Sequence, residues 1–599
     1  MKLSKLNELP TSRDMIDVFG GYNHNLRIRE GEFYDMTNLT SADYPVLSPR
    51  PQRGVYASPS NPTGLVAKDA LCYVDGEYFV INGYKIDMNL NNEPKTLISM
   101  GAYVIILPDK KYINTQKNEA DDVFEYGDIE AEAVISSDSV KFSLCKVDGT
   151  AFKNVDADGV ETEVPSGTTA PESPNNLDYW IDTSSTPVVI KQYSSTSSEW
   201  TSVATTYIKI SSPGIGIPFG VNDGVIISGI TIDSLKDLNN TMIIWDKGND
   251  YIVVTGILER EFTQDVTEDN PIKIERRMPN MDFVIESGNR LWGCRYGTSI
   301  FGDVVNTIYC SKLGDFKNWH SYPGISTDSW YGNLGTDGQF TGAITHMGHP
   351  IFFKENYMHK VYGSYPSNFQ IQDTACRGVQ KGCHKSLAIV NETLFYKSRS
   401  AICAYDGSLP TEISSALGDE TYSDAVAGVL GNKYYISMKD AKDALGEYNL
   451  FVYDTSKGMW HREDNTQAVE FCTCRGNLYY IDYDKKIRTV IGDEDNIDTA
   501  RVKWSAVTGF IGTDLPDKKY ISRLVVRLSL EAGASVSFSV EYDSLGAWEH
   551  LFTMDGTNLK TFSVPIRPKR CDHLRLRIDG EGVAKIFSIT KTIEQGSDA

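Results

Sequence analysis

A hairpin pattern recurs along the chain and restricts it to antiparallel β structure. The pattern is a strand that ends in Tyr or Tyr-Asp, a short polar turn, and a Trp that begins the next strand. It occupies residues 453–460 and 542–548, and looser copies occupy 193–200 and 309–319. Asp and Gly favour tight turns, and an aromatic ring on each side can cover the sheet face. We therefore predict a chain built of antiparallel sheets.

Composition favours the same fold class. The chain has 599 residues, with 33 Tyr, 23 Phe and 49 Gly, which is typical of β-strands joined by many tight turns. This length is too great for one hydrophobic core, so about three to five domains are expected. Strand and turn signals at spacings of roughly 8 to 12 residues are typical of sandwiches, barrels and propellers. Because the spacing has no fixed period, we predict an all-β fold based on a degenerate β-propeller.

Changes in pattern along the chain divide it into segments. Prolines between residues 45 and 51 favour extended chain. Residues 130–210 are rich in Ser, Thr, Asp and Pro, and loop tips accept inserted domains of this kind. From residue 498 onward, apolar and polar residues alternate as in a sandwich with one solvated face. The predicted segments are an extended N-terminal arm (1–60), the first propeller strands (61–125), inserted small β domains (126–276), the remaining propeller blades (277–497) and a C-terminal jelly-roll-like β-sandwich (498–599).

Charge and cysteine content narrow the possible functions. The 58 Lys and Arg residues against 80 Asp and Glu residues give a formal net charge of −22. An acidic surface does not hold nucleic acid by its phosphates, although it lets DNA pass without binding. The ten cysteines are scattered and include no CxxC pair, which predicts free thiols made in a reducing cytoplasm. Residues 1–10 lack the pattern of a signal peptide, and no apolar run approaches the length of a membrane helix.

Three short motifs could carry chemistry, and each has a structural alternative. The histidines between 346 and 384 could gather a metal, but their spacing matches no common zinc motif, and core or turn histidines are the alternative. Residues 156–161 resemble the start of a calcium loop but lack the Gly and Glu positions of an EF-hand. Residues 311–319 are similar to the Asp-box turn of sialidase-like propellers, which is a folding element. A glycosidase needs two carboxylates at a defined separation, and the sequence singles out no such pair. We predict no enzyme activity, no cofactor and no metal.

Short segments spread over most of the chain resemble one known family. Residues 20–23 and 47–50, with 281–286 and 289–294 in the middle, are similar to parts of bacteriophage tail nozzle, or tail-stabilisation, proteins. The resemblance implies a β-propeller subunit that forms a homo-oligomeric ring, commonly six-fold, around the DNA-exit channel. It implies tail-tube, adaptor, plug or fibre proteins as partners, with DNA passing through the lumen without specific binding and no membrane insertion. The implied location is the virion tail, after synthesis in the host bacterial cytoplasm.

Two functions from different classes are therefore expected. The first is a non-enzymatic virion structural protein that forms the ring, with Arg50 and Arg53 on the arm as an intersubunit clamp. The alternative is a tail-tip host-recognition or carbohydrate-binding protein, in which Tyr179, Trp180 and Trp200 stack on sugars. The same three side chains could instead form the core of a small inserted sandwich.

Overall fold

Strands make up almost all of the regular structure. The computed structural model describes residues 11–118, 120, 122–299, 302–442, 446–493, 495–498, 500–513 and 518–595, so the signal-peptide prediction for residues 1–10 lies outside the described part. The helical elements within these ranges are four short 3-10 helices, Asp233–Leu238, Pro366–Asn368, His384–Ser386 and Ser415–Leu417. Across the same ranges, no helix has the length and apolar character needed to cross a bilayer.

A short N-terminal series of strands precedes the first two blades. The N-terminal strands are β1 (Thr11–Ile16), β2 (Gly21–Tyr22), β3 (Glu32–Thr37), β4 (Leu39–Thr40), β5 (Ser48–Pro49) and β6 (Gly54–Ala57). The first blade contains β7 (Pro62–Ala67), β8 (Leu71–Asp75), β9 (Tyr78–Ile81) and β10 (Tyr84–Asp87), and the second contains β11 (Thr96–Met100), β12 (Tyr103–Leu107), β13 (Lys111–Lys117) and β14 (Phe124–Asp128). Asn82 and Gly83 join β9 to β10 with φ angles of 48° and 81°, the left-handed pair that a two-residue hairpin turn requires.

An insertion with a second insertion inside it separates the second and third blades. Its strands are β15 (Ala131–Ile135), β16 (Ser139–Cys145), β17 (Asn154–Val155), β18 (Glu161–Thr162), β19 (Ser166–Gly167), β20 (Tyr179–Asp182), β21 (Val189–Ser194), β22 (Glu199–Ser202), β23 (Tyr207–Ser211), β24 (Gly224–Ser228), β25 (Thr241–Ile243), β26 (Asp246–Lys247), β27 (Tyr251–Thr255), β28 (Phe262–Asp265) and β29 (Ile272–Arg276). Two sheets, β15-β29-β24-β25 and β26-β27-β23-β16-β28, share one apolar core that includes Phe142 and Ile274. Between β16 and β23, the smaller sheet β19-β20-β21-β22 covers a separate core that includes Ile181 and Ile190.

Five further blades follow the insertion. Their strands are β30 (Phe283–Glu286), β31 (Leu291–Thr298), β32 (Val304–Cys310), β33 (Trp330–Asn333), β34 (Phe340–His346), β35 (His349–Lys354), β36 (Tyr357–Tyr362), β37 (Gln370–Ala375), β38 (Ala388–Val390), β39 (Thr393–Lys397), β40 (Ile402–Tyr405), β41 (Thr411–Glu412), β42 (Tyr422–Leu430), β43 (Lys433–Asp440), β44 (Tyr448–Asp454), β45 (Met459–Arg462), β46 (Ala468–Cys474), β47 (Asn477–Asp482) and β48 (Ile487–Thr489). Each blade is an antiparallel sheet whose strands follow chain order, except that β6 provides the last strand of the final blade.

The first strands of the blades close a ring. β7 contacts β11 and β46, β30 contacts β11 and β34, and β42 contacts β38 and β46. The 3-10 helix His384–Ser386 contacts both β34 and β42 and bridges the fourth and sixth blades beside β38. Over the described residues, six separate four-stranded sheets and the β42–β45 part of a larger sheet make seven blades. The predicted β-propeller with inserted β domains is therefore confirmed.

The C-terminal unit is a folded β ribbon. Its strands are β49 (Lys503–Thr508), β50 (Lys519–Tyr542), β51 (Trp548–Val564), β52 (Leu574–Glu581) and β53 (Ala584–Gln595). The first half of β50 pairs with β53 and the second half with β52, with a register shift between Leu530 and Ser535 along its β51 edge. Inward residues on both halves, such as Val526 and Phe538, are buried in one core. The folded ribbon is the predicted C-terminal sandwich.

The N-terminal segment is built into its own chain. β1 pairs with β53, and β3 pairs with β49 of the C-terminal unit. β2 lies between β3 and β45, so one twelve-stranded sheet joins the C-terminal unit to the sixth blade. The segment predicted as an extended arm thus holds the sandwich against the propeller, and β6 closes the ring of blades.

Candidate functional site

Arg50 and Arg53 lie in a buried ion-pair cluster within the chain. Arg53 donates from Nη2 to Glu463 Oε2 at 2.7 Å, and its Nη1 lies 2.8 Å from Asp464 Oδ2. Arg50 donates from Nε to Asn38 Oδ1 at 2.7 Å. Burial opposes ionisation of Asp464, but the charges of Arg53 and Arg50 together with hydrogen bonds from Thr466 outweigh it and lower the pKa of that carboxyl. Both guanidinium charges are therefore used to bind the N-terminal segment to the sixth and seventh blades, and a role between subunits stays a prediction.

The two arginines form part of a cleft of about 590 Å³ between the N-terminal segment, the last blade and the connection to the C-terminal unit. Its other lining groups include Asp482 and Arg488, which form an ion pair with each other. Because carboxylates and guanidiniums in this cleft neutralise one another, it has the character of a polar junction between units.

Tyr179, Trp180 and Trp200 lie on the small inserted sheet, but not on one face of it. Side chains of successive strand residues point to opposite faces. Tyr179 faces inward, where its ring packs edge-on against Phe152 at a centroid distance of 5.0 Å. Trp180 pairs with Lys191 across β20 and β21, and Tyr193 pairs with Trp200 across β21 and β22. Paired residues lie on the same face of a sheet, and Lys191 and Tyr193 are two residues apart on one strand. Trp180 therefore faces outward together with Trp200. The structure therefore brings Trp180 and Trp200 together and places Tyr179 on the opposite face, and sugar stacking by these residues stays a prediction.

Trp180, Tyr193 and Trp200 form a continuous aromatic surface, here named the tryptophan face. The Trp180 and Trp200 rings lie 5.6 Å apart at an interplanar angle of 66°, and the Tyr193 ring lies 5.3 Å from that of Trp200. Trp180 is only 5% exposed, whereas Trp200 and Tyr193 are half-buried. In the part of the unit that the structure describes, none of these rings belongs to the apolar cluster beneath the sheet.

Charged and polar groups border the tryptophan face. Lys191 Nζ lies 5.4 Å from the centre of the Trp180 ring and 2.8 Å from Asp182 Oδ2. The hydroxyl of Ser184 donates to Asp182 Oδ1 at 2.6 Å. Hydrogen bonds from Lys191 and then Ser184 lower the pKa of Asp182 to about 2. Alternation along β20 and β21 places Asp182, Lys191 and Tyr193 beside Trp180, and that sequence signal could have identified them.

A partly buried ion pair lies beside the inner strands of the propeller. Glu470 on β46 accepts hydrogen bonds from Lys385 Nζ at 3.1 Å and from the backbone N–H of Leu65 at 3.4 Å. Burial raises the pKa of Glu470, and the charge of Lys385 opposes that rise. The donors that the described residues provide for this carboxylate come from the first blade and from the 3-10 helix before the fifth blade, which suits a contact that holds inner strands together.

Two of the three short motifs, the histidines and the segment 156–161, take part in structural contacts. His346 bonds the backbone oxygen of Glu392 at 2.6 Å, whereas His359 bonds Asp373 at 2.7 Å on a different blade surface. The segment 156–161 is a hairpin turn, which Asp156 Oδ1 closes by accepting backbone N–H groups. Within the described ranges, no group of three or more His, Cys, Asp or Glu side chains is arranged to hold a metal ion.

Comparison with known proteins gives structural neighbours only. No protein-family model and no curated protein matches the sequence. An exo-β-1,3-galactanase from Phanerochaete chrysosporium is 9% identical over 51% of this chain and 94% of its own, with a TM-score of 0.21. A GH43 protein from Bacillus licheniformis is 7% identical over 52% and 97%, with a TM-score of 0.20. An acylaminoacyl peptidase from Pyrococcus horikoshii is 11% identical over 53% and 55%, with a TM-score of 0.22.

The predicted non-enzymatic tail ring finds no support among these neighbours. Those named are hydrolases, two of them carbohydrate-related, and none is a tail protein, so the prediction of a non-enzymatic tail ring is not retained. The predicted tail-protein family, ring partners and virion location stay predictions. At such low identities and TM-scores, no activity or substrate carries over to this chain, and a function has to rest on its own side chains.

Proposed function

We propose that the protein binds carbohydrate through the tryptophan face. The observation that carries this proposal is the Trp180–Trp200 pair on the outer side of a sheet whose inner side already has its own apolar core. A sugar ring has apolar C–H faces that pack on indole rings, and aromatic side chains supply large contact areas with a polar tip. An antiparallel sheet with one face on a core commonly leaves its other face to solvent, and here that other face carries aromatic rings.

The polar border matches the hydroxyl groups of a sugar. Lys191 can donate to a sugar oxygen, and its 2.8 Å contact with the buried Asp182 fixes it beside Trp180. Binding sites of this kind combine apolar surface with a few fixed polar groups that set the orientation of the ligand. Because its pKa is about 2, Asp182 remains an acceptor throughout the neutral pH range.

The proposal is tested with the full-length protein on an array of neutral and acidic glycans, followed by titration of the strongest ligand. Trp200→Ala removes a half-buried ring of the face, and we expect binding to weaken about tenfold or more. Trp245→Ala is the matched control, because Trp245 is also half-buried and packs edge-on against a tyrosine at 6.0 Å in the neighbouring inserted unit. Failure to bind any glycan, or equal losses in the two variants, would contradict the proposal.

A further inference from the structure

A second aromatic surface lies far along the chain from the tryptophan face, on the third and fourth blades. Tyr322, Trp330, Tyr331 and Tyr365 line a groove of about 480 Å³, here named the tyrosine groove. The three tyrosines are 45%, 55% and 44% exposed in that order. Large aromatic side chains are seldom left this open side by side unless the surface has a use.

The groove is assembled from separate parts of two blades. Trp330 and Tyr331 belong to β33, Tyr322 to the preceding connection, and Tyr365 to the connection between β36 and β37. The Trp330 ring is held in place by Phe369, because the two rings pack edge-on with their centres 5.6 Å apart. Tyr322 lies 6.2 Å from Tyr331 at an interplanar angle of 80°, which gives the groove an angled wall.

Asp328 provides an acceptor that the protein leaves unused. The residue lines the groove and is only 4% exposed. Its Oδ2 accepts the backbone N–H groups of Gly324 at 2.5 Å and Ile325 at 2.8 Å. Its Oδ1 is buried and has no hydrogen-bond partner among the described residues. A buried carboxylate oxygen without a donor is costly, so a ligand that brings a donor to it would gain the missing hydrogen bond.

The loop that carries Asp328 is held rigidly. Arg290, which is 2% exposed, donates from Nη1 to the backbone oxygen of Asp328 at 2.6 Å and from Nη2 to that of Ser326 at 2.8 Å. A loop fixed in this way loses little conformational freedom when a ligand binds. The groove therefore combines open rings, an unused acceptor and a fixed backbone.

We propose that the tyrosine groove is a second binding site, independent of the tryptophan face, for a neutral saccharide. A hydroxyl group of the sugar donates to Asp328 Oδ1 while the C–H face of its ring packs on Tyr331. An anionic sugar is disfavoured, because the groove contains a carboxylate and the whole chain carries a formal charge of −22. A proline-rich peptide also fits aromatic grooves, but proline has no N–H to donate to Asp328.

The test starts from the full-length Trp200→Ala protein, so that the tryptophan face does not contribute. Neutral tetrasaccharides (xylotetraose, cellotetraose and maltotetraose) and a proline-rich decapeptide are titrated separately by calorimetry. We expect at least one tetrasaccharide to bind. Adding Tyr331→Ala should weaken that binding about tenfold, and adding Asp328→Asn should weaken it about ten- to hundredfold, because the amide keeps one oxygen for the loop and replaces the other with a donor.

Tyr126→Ala is the matched control. Tyr126 is 49% exposed on β14, the last strand of the second blade, as Tyr331 is on the last strand of the third. This variant should bind like its parent. Tyr331→Phe keeps the ring and should also bind like its parent, which separates loss of the ring from loss of the hydroxyl group.

Three results would overturn the inference: no binding of any tetrasaccharide, equal affinities in the Tyr331→Ala and Tyr126→Ala proteins, or preference for the peptide. The two proposals fail separately. If Trp200→Ala alone abolishes all glycan binding, the groove inference fails and the proposed function stands. If Trp200→Ala has no effect on glycan binding while Tyr331→Ala reduces it, the proposal of sugar binding by the tryptophan face is contradicted. The inference of sugar binding by the tyrosine groove is then supported.

Discussion

The tryptophan face and the tyrosine groove differ in how far their aromatic rings serve folding. Trp180 is 5% exposed and its neighbouring carboxylate, Asp182, is already bound to Lys191. Tyr331 is 55% exposed, and Asp328 has an oxygen without a partner. The tryptophan face therefore stabilises the small inserted unit that carries it. The tyrosine groove is held in place by the propeller and contributes little to the stability of the propeller. Substitutions should separate these cases by their effects on stability.

The largest effect is expected for Trp180→Ala. Removing a buried indole should cost about 3–5 kcal/mol of local stability. Because this small sheet has its own core, the loss should be confined to it. Hydrogen exchange should show lost amide protection in β20, β21 and β22 with the propeller strands unchanged. Retained protection in β20–β22 would mean that the ring serves only ligand binding.

A smaller effect, present at neutral pH and lost in acid, is expected for Lys191→Met. The hydrogen bond from Lys191 is the main reason that the pKa of Asp182 is about 2. A carboxyl with a depressed pKa contributes stability above its unfolded pKa, near 3.9, and loses that contribution as the pH falls toward the folded value. Without Lys191 the folded pKa should rise toward the ordinary value.

The check is a titration of the Asp182 carboxyl carbon by NMR from pH 6 to pH 2. The wild-type resonance should move only near the acid end, and that of Lys191→Met should move near pH 4. Superimposable titrations would show that Lys191 does not control this group. Lys141→Met, which removes the Lys141–Glu261 pair at 2.8 Å in the neighbouring unit, is the control and should leave Asp182 unchanged.

The smallest stability change is expected for Tyr331→Ala. Its ring is more than half exposed, so the free energy of unfolding should change by no more than about 0.5 kcal/mol, although glycan binding in the groove weakens about tenfold. Thermal denaturation of the variant beside Tyr126→Ala measures this. A large fall in the melting temperature of Tyr331→Ala alone would show that the groove, like the tryptophan face, supports folding.

Local features of the fold could be predicted from the sequence, and long-range ones could not. The Asn82-Gly83 turn and the alternating strands of the C-terminal unit follow from neighbouring residues. The pairing of β6 with β48 joins segments more than 400 residues apart, and no local pattern marks it. The acidic partner of Arg53, Glu463, is 410 residues away in sequence. Considered alone, the arm therefore suggested that its arginines contact another subunit.

The two candidate surfaces show the same limit. Strand alternation alone separates Tyr179 from Trp180, and the sequence therefore contained the correction to the predicted trio. The tyrosine groove unites residues from two blades and depends on an oxygen that remains unpaired after folding. Neither property is encoded in a short motif. Short family-like segments, in contrast, led to a tail-ring function that the structural neighbours did not bear out.

The most direct test of two independent sugar-binding surfaces is calorimetric titration of one neutral glycan into four proteins: wild type, Trp200→Ala, Tyr331→Ala and the double variant. The glycan is the strongest neutral ligand found on the array. The account predicts two binding sites of full affinity in the wild type, one in each single variant, and binding weakened about tenfold at both sites in the double variant. Wild-type binding by the double variant would contradict it.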